Sequence, residues 1–102
     1  MNKKITFHGI EIKKIDYDFD PLDPKNNPDI PGFDLYERHL VLPRDSRDDE
    51  DIKNFALERL SVNLIETQEN KNLTFENIKW WGKPHFITGQ PRLGWSARSK
   101  RK

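Results

Sequence analysis

The chain has 102 residues, which suits one domain and is too short for two, and 34% of its residues are charged against 33% hydrophobic. The absence of cysteine excludes disulfides, thiol nucleophiles and cysteine-ligated zinc. No stretch approaches the roughly 20 apolar residues that cross a bilayer, and residues 1–9 lack the apolar core of a signal peptide, so a cytoplasmic protein without membrane contact is expected.

The net charge of +1 conceals a strong asymmetry along the chain. Residues 1–15 carry a charge of +3, residues 16–51 carry −8, residues 52–70 carry −1 and residues 71–102 carry +7. An acidic middle joined to a basic end favours either two opposite electrostatic faces or a tail that folds back onto its own acidic loop. The sequence leaves both arrangements open.

The opening segment alternates apolar and polar residues from Ile5 to Phe19, which predicts a β-strand. The alternation slips at Gly9 and again at Lys13, so the predicted strand is bent or bulged. Residues 19–33 form an acidic loop with four prolines, through which neither a helix nor a central strand can run. The stretch Leu35–Leu42 is predicted as a second strand, antiparallel to the first and ended by Pro43.

A helix is predicted next, capped by Asp45 or Ser46 and ending near residues 67–70. Its first turn carries four carboxylates, which favour the positive end of the helix dipole. Its predicted apolar face consists of Ile52, Phe55, Ala56, Leu60 and Leu64, with Leu57 at the edge. Arg59 and Asn63 interrupt that face. Either Arg59 extends past the sheet edge while Asn63 caps a neighbouring strand, or this rim is an exposed contact patch.

Two short strands, 73–81 and 85–88, are predicted around a turn at 82–84. The predicted fold is therefore a small α+β domain of order β-β-α-β-β over residues 1–91. In it, one helix packs on a mainly antiparallel four-stranded sheet. Residues 92–102 are predicted as a basic C-terminal arm.

Aromatic residues alternate with cations near the C-terminus, a mixture that suits single-stranded nucleic acid because rings stack on bases and cations neutralise phosphates. Adjacent strand residues point to opposite faces, so one of Trp80 and Trp81 is expected to be exposed. The candidate binding residues are Lys79, Trp80, Trp81, Lys83, His85, Arg92, Trp95, Arg98, Lys100, Arg101 and Lys102.

The leading functional hypothesis is non-catalytic binding of RNA, single-stranded DNA or a nucleoprotein complex through this segment. One alternative is a protein-binding inhibitor or adaptor that uses the acidic region 16–51 and the Trp/Arg segment. A second is a small metal-independent ribonuclease that uses one of His8, His39 and His85 with Arg38, Lys83 or Arg92.

No metal or cofactor is predicted. Asp16, Asp18 and Asp20 alternate as in a calcium loop, but Pro21 and Asn27 stand where that loop needs glycine and glutamate.

Overall fold

A computed structural model describes residues 5–26 and 28–101, and it confirms the α+β class. In chain order the elements are β1 (Ile5–Phe7), β2 (Ile10–Ile12), β3 (Ile15–Asp16), β4 (Phe33–Val41), a short 3₁₀ turn (Arg44–Ser46), α1 (Glu50–Lys71), β5 (Phe75–Gly82) and β6 (Arg92–Lys100). Among the described residues, no helix combines the length and the apolar character needed to span a membrane.

The opening segment is a hairpin followed by a short strand, not the single bent strand predicted. β1 and β2 pair antiparallel, with Ile5 opposite Ile12. His8 and Gly9 both have positive φ, at 51° and 83°, which is the backbone geometry of a tight hairpin turn. The chain therefore reverses at the point where the sequence alternation slips, and only β3 joins the main sheet.

The main sheet has the strand order β3-β5-β6-β4. β3 runs parallel to β5, and the other two pairings are antiparallel. The prediction that the first strand lies beside β4 is therefore wrong, because β5 and β6 separate β3 from β4. β5 and β6 each pair on both sides, so these two strands form the interior of the sheet.

The prediction of a basic arm over residues 92–102 is wrong for most of that range, because Arg92–Lys100 forms an interior strand, β6. Residues 92–99 are all buried. Leu93, Trp95 and Ala97 lie on the helix side of the sheet, while Arg92 and Arg98 lie on the other. The alternation of apolar and basic residues is therefore the pattern of a strand, β6, whose two faces are both covered.

Residues 85–88, predicted as the last strand, form a turn in the connection between β5 and β6. His85 holds this turn together: its N–H donates to the Gln90 carbonyl (2.8 Å), and its carbonyl accepts from the N–H of Gly89 (2.8 Å). Its Nδ1 atom also accepts from the N–H groups of Ile87 (3.2 Å) and Thr88 (3.4 Å). A side chain that binds its own backbone competes with strand pairing.

The helix α1 begins after Asp49, whose Oδ1 atom accepts from the N–H groups of Asp51 (3.0 Å) and Ile52 (3.2 Å). Its cap thus lies a few residues beyond the predicted Asp45 or Ser46. Asn72, in the left-handed conformation at φ 52°, ends the helix.

The buried stripe of α1 is Ala56, Leu57, Leu60, Ser61 and Leu64. Phe55, predicted on the core face, is instead 61% exposed. The Trp95 indole, which is fully buried, donates to the Leu60 carbonyl (3.1 Å). Leu57, predicted at the edge of the apolar face, is also buried in the core, at 2% exposed.

Both Trp80 and Trp81 are buried, so the prediction that one of them is exposed is wrong. Trp80 belongs to the core beneath α1. Trp81 points to the opposite face, where Phe19 from the proline-rich loop covers it at a ring distance of 6.2 Å. That loop also covers Arg98, whose Nη2 atom donates to the Pro28 carbonyl (2.6 Å).

Candidate functional site

Five cationic side chains meet at one end of the sheet because of the strand order. β4 and β5 both run antiparallel to β6, so the ends of β4 and β5 lie beside the start of β6. The short connection after β4 also brings the beginning of α1 to this end. The five cations, which we call the cationic cleft, are Arg44, Arg47, Lys53, Lys83 and Arg92.

Lys83 and Arg92 continue the β5–β6 ladder into the cleft. The Lys83 N–H donates to the Arg92 carbonyl (3.1 Å), and Arg92 Nε donates back to the Lys83 carbonyl (3.2 Å). The Arg92 guanidinium lies 5.1 Å from the centre of the Trp81 ring. Its burial lowers the pKa of Arg92, and the charges of Asp20 and Glu37 act in the opposite direction. Arg92, which is only 7% exposed, is therefore a fixed and partly compensated charge beside the cleft.

Arg44, Arg47 and Lys53 form the opposite wall. Arg44 and Arg47 are exposed on and after the 3₁₀ turn, which the buried Ser46 anchors by donating from its hydroxyl to the Pro43 carbonyl. Lys53, from the first turn of α1, lies 3.8 Å from Glu50. Within the part of the chain that the structure describes, neither Arg44 nor Arg47 forms an ion pair.

Aromatic rings lie beside these cations. Tyr17 is 55% exposed and lines the cleft, and Lys53 Nζ lies 6.0 Å from the centre of its ring. The Tyr17 ring packs on Gly82, where a Cβ would come within 2.9 Å of Tyr17 Cε1. Phe86, at the tip of the loop that forms one wall, is 70% exposed and stacks on His85 with ring centres 5.1 Å apart.

The cleft has a volume of about 410 Å³. Tyr17, Leu42, Leu93 and the backbone of the β5–β6 loop complete its lining, and no Asp or Glu is among the described residues that line it. A concave surface lined by one sign of charge raises the local concentration of ligands of the opposite sign. The arrangement is therefore suited to polyanions that also carry flat, apolar groups.

The candidate residues from the sequence are dispersed in the structure. Lys83 and Arg92 lie in the cleft and His85 at its rim, while Trp80, Trp81 and Trp95 are buried and Arg98 binds the proline-rich loop. Lys79 Nζ lies 3.5 Å from Asp16 Oδ2 and 4.9 Å from the centre of the Phe19 ring. Lys100 is exposed at the far end of β6, Arg101 pairs with Asp34 at 2.8 Å, and Lys102 lies outside the described residues.

The candidate residues from the sequence do not include Arg44, Arg47, Lys53, Tyr17 or Phe86. Arg44 and Arg47 belong to the block of residues 16–51, which has an overall charge of −8 and was therefore treated as acidic. A usable signal was present: each cation of the cleft lies next to the start or end of a helix or strand. Combined with the strand order, those positions predict convergence at one end of the sheet.

The alternating aspartates serve local structure. Asp16 Oδ1 accepts from the Asp18 N–H (2.9 Å), and this bond, with help from the charge of Lys79, lowers the pKa of Asp16. Asp20 Oδ1 accepts from the Leu22 N–H (3.0 Å). In the part of the chain that the structure describes, no three His, Asp or Glu side chains are grouped to hold a metal ion.

The exposed rim of α1 forms a separate shallow surface around Phe55, Arg59 and Val62. Arg59 is exposed and lies over the Phe55 ring, 5.7 Å from its centre. Asn63 caps no strand, and its buried Oδ1 atom has no hydrogen-bond partner in the described residues. Of the two interpretations from the sequence, the geometry agrees with an exposed patch.

The chain matches no protein-family model, no curated protein and no solved structure.

Proposed function

We propose that this protein binds single-stranded nucleic acid, RNA or DNA, in the cationic cleft. The observation that carries the proposal is the meeting of five cations in one cleft without a lining carboxylate, beside the exposed rings of Tyr17 and Phe86. Single-strand binding proteins combine these two components, because cations track the phosphates and aromatic rings stack on unpaired bases. The three tryptophans take no part, since they are buried.

Removal of two cleft charges tests the electrostatic part of the proposal. We expect Arg44→Gln with Arg47→Gln to weaken binding and to reduce the slope of log K against log salt by roughly 1.4, since each single-strand phosphate contact contributes about 0.7. The measurement is fluorescence anisotropy of labelled single-stranded RNA, single-stranded DNA and duplex DNA at several salt concentrations. The matched control is Arg59→Gln with Lys100→Gln, which removes two exposed cations away from the cleft.

Equal effects of the two double variants would show that binding follows net charge and not the cleft. Absence of binding by the wild-type chain even at low salt would overturn the proposal. Binding to a protein partner would then be the remaining hypothesis, and the helix rim around Phe55 would be the next surface to test.

Replacement of Phe86 tests the stacking part. Loss of one stacked base costs about 1–3 kcal/mol, so Phe86→Ala is expected to weaken binding by roughly 5-fold to 150-fold with the salt slope unchanged. Ile87→Ala is the control, because Ile87 is equally exposed on the same turn, at 74% against 70%, and has no ring. Similar losses in both variants would mean that apolar contact, and not stacking, holds the base.

A ribonuclease function is a second candidate, favoured by the position of His39. The His39 ring and the Arg92 guanidinium both lie beside Trp81, at 6.3 Å and 5.1 Å from the centre of its ring. One histidine could take the proton of the 2′-hydroxyl as its oxygen attacks phosphorus, while the other protonates the departing 5′-oxygen. RNA that stays intact with the protein in chelator excludes this candidate. Cleavage that persists in both His39→Asn and His85→Asn assigns the activity to a contaminant.

A further inference from the structure

The outer edge of β4 offers a nine-residue strand, Phe33–Val41, for pairing. β4 is a terminal strand of the sheet and pairs only with β6 in the described part of the chain. Both prolines that bracket it, Pro31 and Pro43, lie outside the strand, so none of its backbone donors is missing. A long edge of this kind is a template for another strand.

The alternation of the backbone identifies which groups point outward. Two hydrogen bonds that extend the β4–β6 ladder, from the Leu42 N–H to the Pro91 carbonyl (2.7 Å) and from the Arg101 N–H to the Gly32 carbonyl (2.8 Å), involve even-numbered residues on the β4 side. In an antiparallel pair every second residue bonds to one neighbour. The N–H and C=O groups of Leu35, Glu37 and His39 therefore face away from β6.

Side-chain charges restrict how a second copy can pair along this edge. If the two-fold axis of an antiparallel pair passes at Glu37, Glu37 lies opposite Glu37 of the second copy. An axis at Arg38 places the two Arg38 side chains opposite each other in the same way. Like charges directly opposite each other are destabilising. A two-fold axis at Tyr36 instead places Asp34 of each copy opposite Arg38 of the other copy. It also places Leu35 opposite Glu37, so the outward backbone groups of both strands meet.

We propose that β4 pairs with β4 of a second copy, in the register that places Tyr36 opposite itself, to form a homodimer with one continuous eight-stranded sheet. The occupant is a second copy of this chain because the edge is self-complementary in that register, with two Asp34–Arg38 pairs flanking the axis. Asp34 remains within reach of Arg101, so each carboxylate is shared between two cations.

Sedimentation equilibrium tests the dimer. We expect a mass of twice the 12.2 kDa of the monomer at high protein concentration. Arg38→Asp should shift the protein to the monomer by placing two carboxylates opposite each other, and Asp34→Arg with Arg38→Asp should restore the dimer. A wild-type chain that stays monomeric at its highest soluble concentration would overturn the proposal. So would a dimer that survives Arg38→Asp.

Disulfide trapping reads the register directly, since the chain has no cysteine of its own. A non-hydrogen-bonded antiparallel pair has Cα atoms about 4.5 Å apart, within the range for a disulfide. Tyr36→Cys should therefore cross-link on oxidation, whereas Glu37→Cys and Arg38→Cys should not. Tyr36 packs against Phe75 at 5.4 Å, so its loss could impair folding. An oxidised mixture of the single variants Asp34→Cys and Arg38→Cys tests the same register without that change, and preferential cross-linking of Glu37→Cys overturns it.

Discussion

Gly94 is the residue that allows Trp81 to lie across the interior strand β6. A Cβ at this position would come within 2.6 Å of Trp81 Cζ2 and 2.5 Å of the Arg38 carbonyl oxygen. Gly94→Ala is therefore expected to destabilise the protein by about 1–3 kcal/mol, as overpacking does. Urea unfolding checks this, with Lys100→Ala, an exposed change on the same strand, as control. An unchanged midpoint would mean that Trp81 can move without cost.

His39 provides a pH-dependent contribution to stability. Partial burial, followed by the charges of Arg92 and His85, lowers its pKa below the ordinary histidine value of about 6.5. As the pH falls, the unfolded chain is therefore protonated first. The stability contributed by neutral His39 is complete above the unfolded pKa and is lost as the pH falls through that value toward the folded pKa.

We expect His39→Asn to reduce the loss of unfolding free energy between neutral and mildly acidic pH. Urea titrations on either side of the ordinary histidine pKa measure this. The control is His8→Asn, because His8 lies on the exposed hairpin turn. If the two variants change the pH dependence equally, the effect comes from loss of any histidine and not from the surroundings of His39.

At the scale of secondary-structure elements, α1 depends on its N-cap. Asp49→Ala removes the acceptor for two N–H groups and should destabilise the protein by about 1 kcal/mol. Asp49→Asn should retain most of the stability, since its side-chain oxygen can still accept. Asp48→Ala is the matched control in urea unfolding, because it removes a neighbouring exposed carboxylate without removing the cap. Equal losses at 48 and 49 would assign the effect to the helix dipole.

The elements were predictable to different degrees. The helix was found because its acidic first turn and its apolar periodicity are local signals, and its actual end at Lys71 lies one residue beyond the predicted zone. Its rotation was not found, since the bulk of Trp95 decides which stripe faces the sheet. The turn at His85 was also missed, because the side-chain bonds that form it are invisible in an alternating pattern.

At the scale of the whole molecule, β6 holds the sheet together. A chain that ends at Pro91 lacks the strand to which both β4 and β5 are bonded, and with it Trp95 from the core. We expect this chain to be unfolded by circular dichroism and amide-proton dispersion, while a chain that ends at Lys100 remains folded. A folded protein ending at Pro91 would show that residues 92–102 are dispensable.

The two proposals together predict dependence on ligand length. In the proposed dimer, Val41 of one copy lies ten strand positions from Val41 of the other, so the two clefts are separated by roughly 33 Å along the sheet. A single strand long enough to reach both should bind the dimer more tightly than a short one. Arg38→Asp should abolish that length dependence in anisotropy titrations. A length dependence that persists in this variant would place both contacts on one copy.

The sequence by itself determined the α+β class, the strand β4 and the helix with its acidic start, because these depend on local propensity and on periodicity. It predicted the basic, aromatic C-terminal segment as an exposed arm. Tertiary structure alone decided what that segment does. Leu93, Trp95 and Ala97 face the helix while Arg92 and Arg98 are covered from the other side, so a sequence that resembles an exposed arm is an interior strand. The cleft likewise exists only after folding, since antiparallel pairing brings Arg44, Lys83 and Arg92 together from distant parts of the chain.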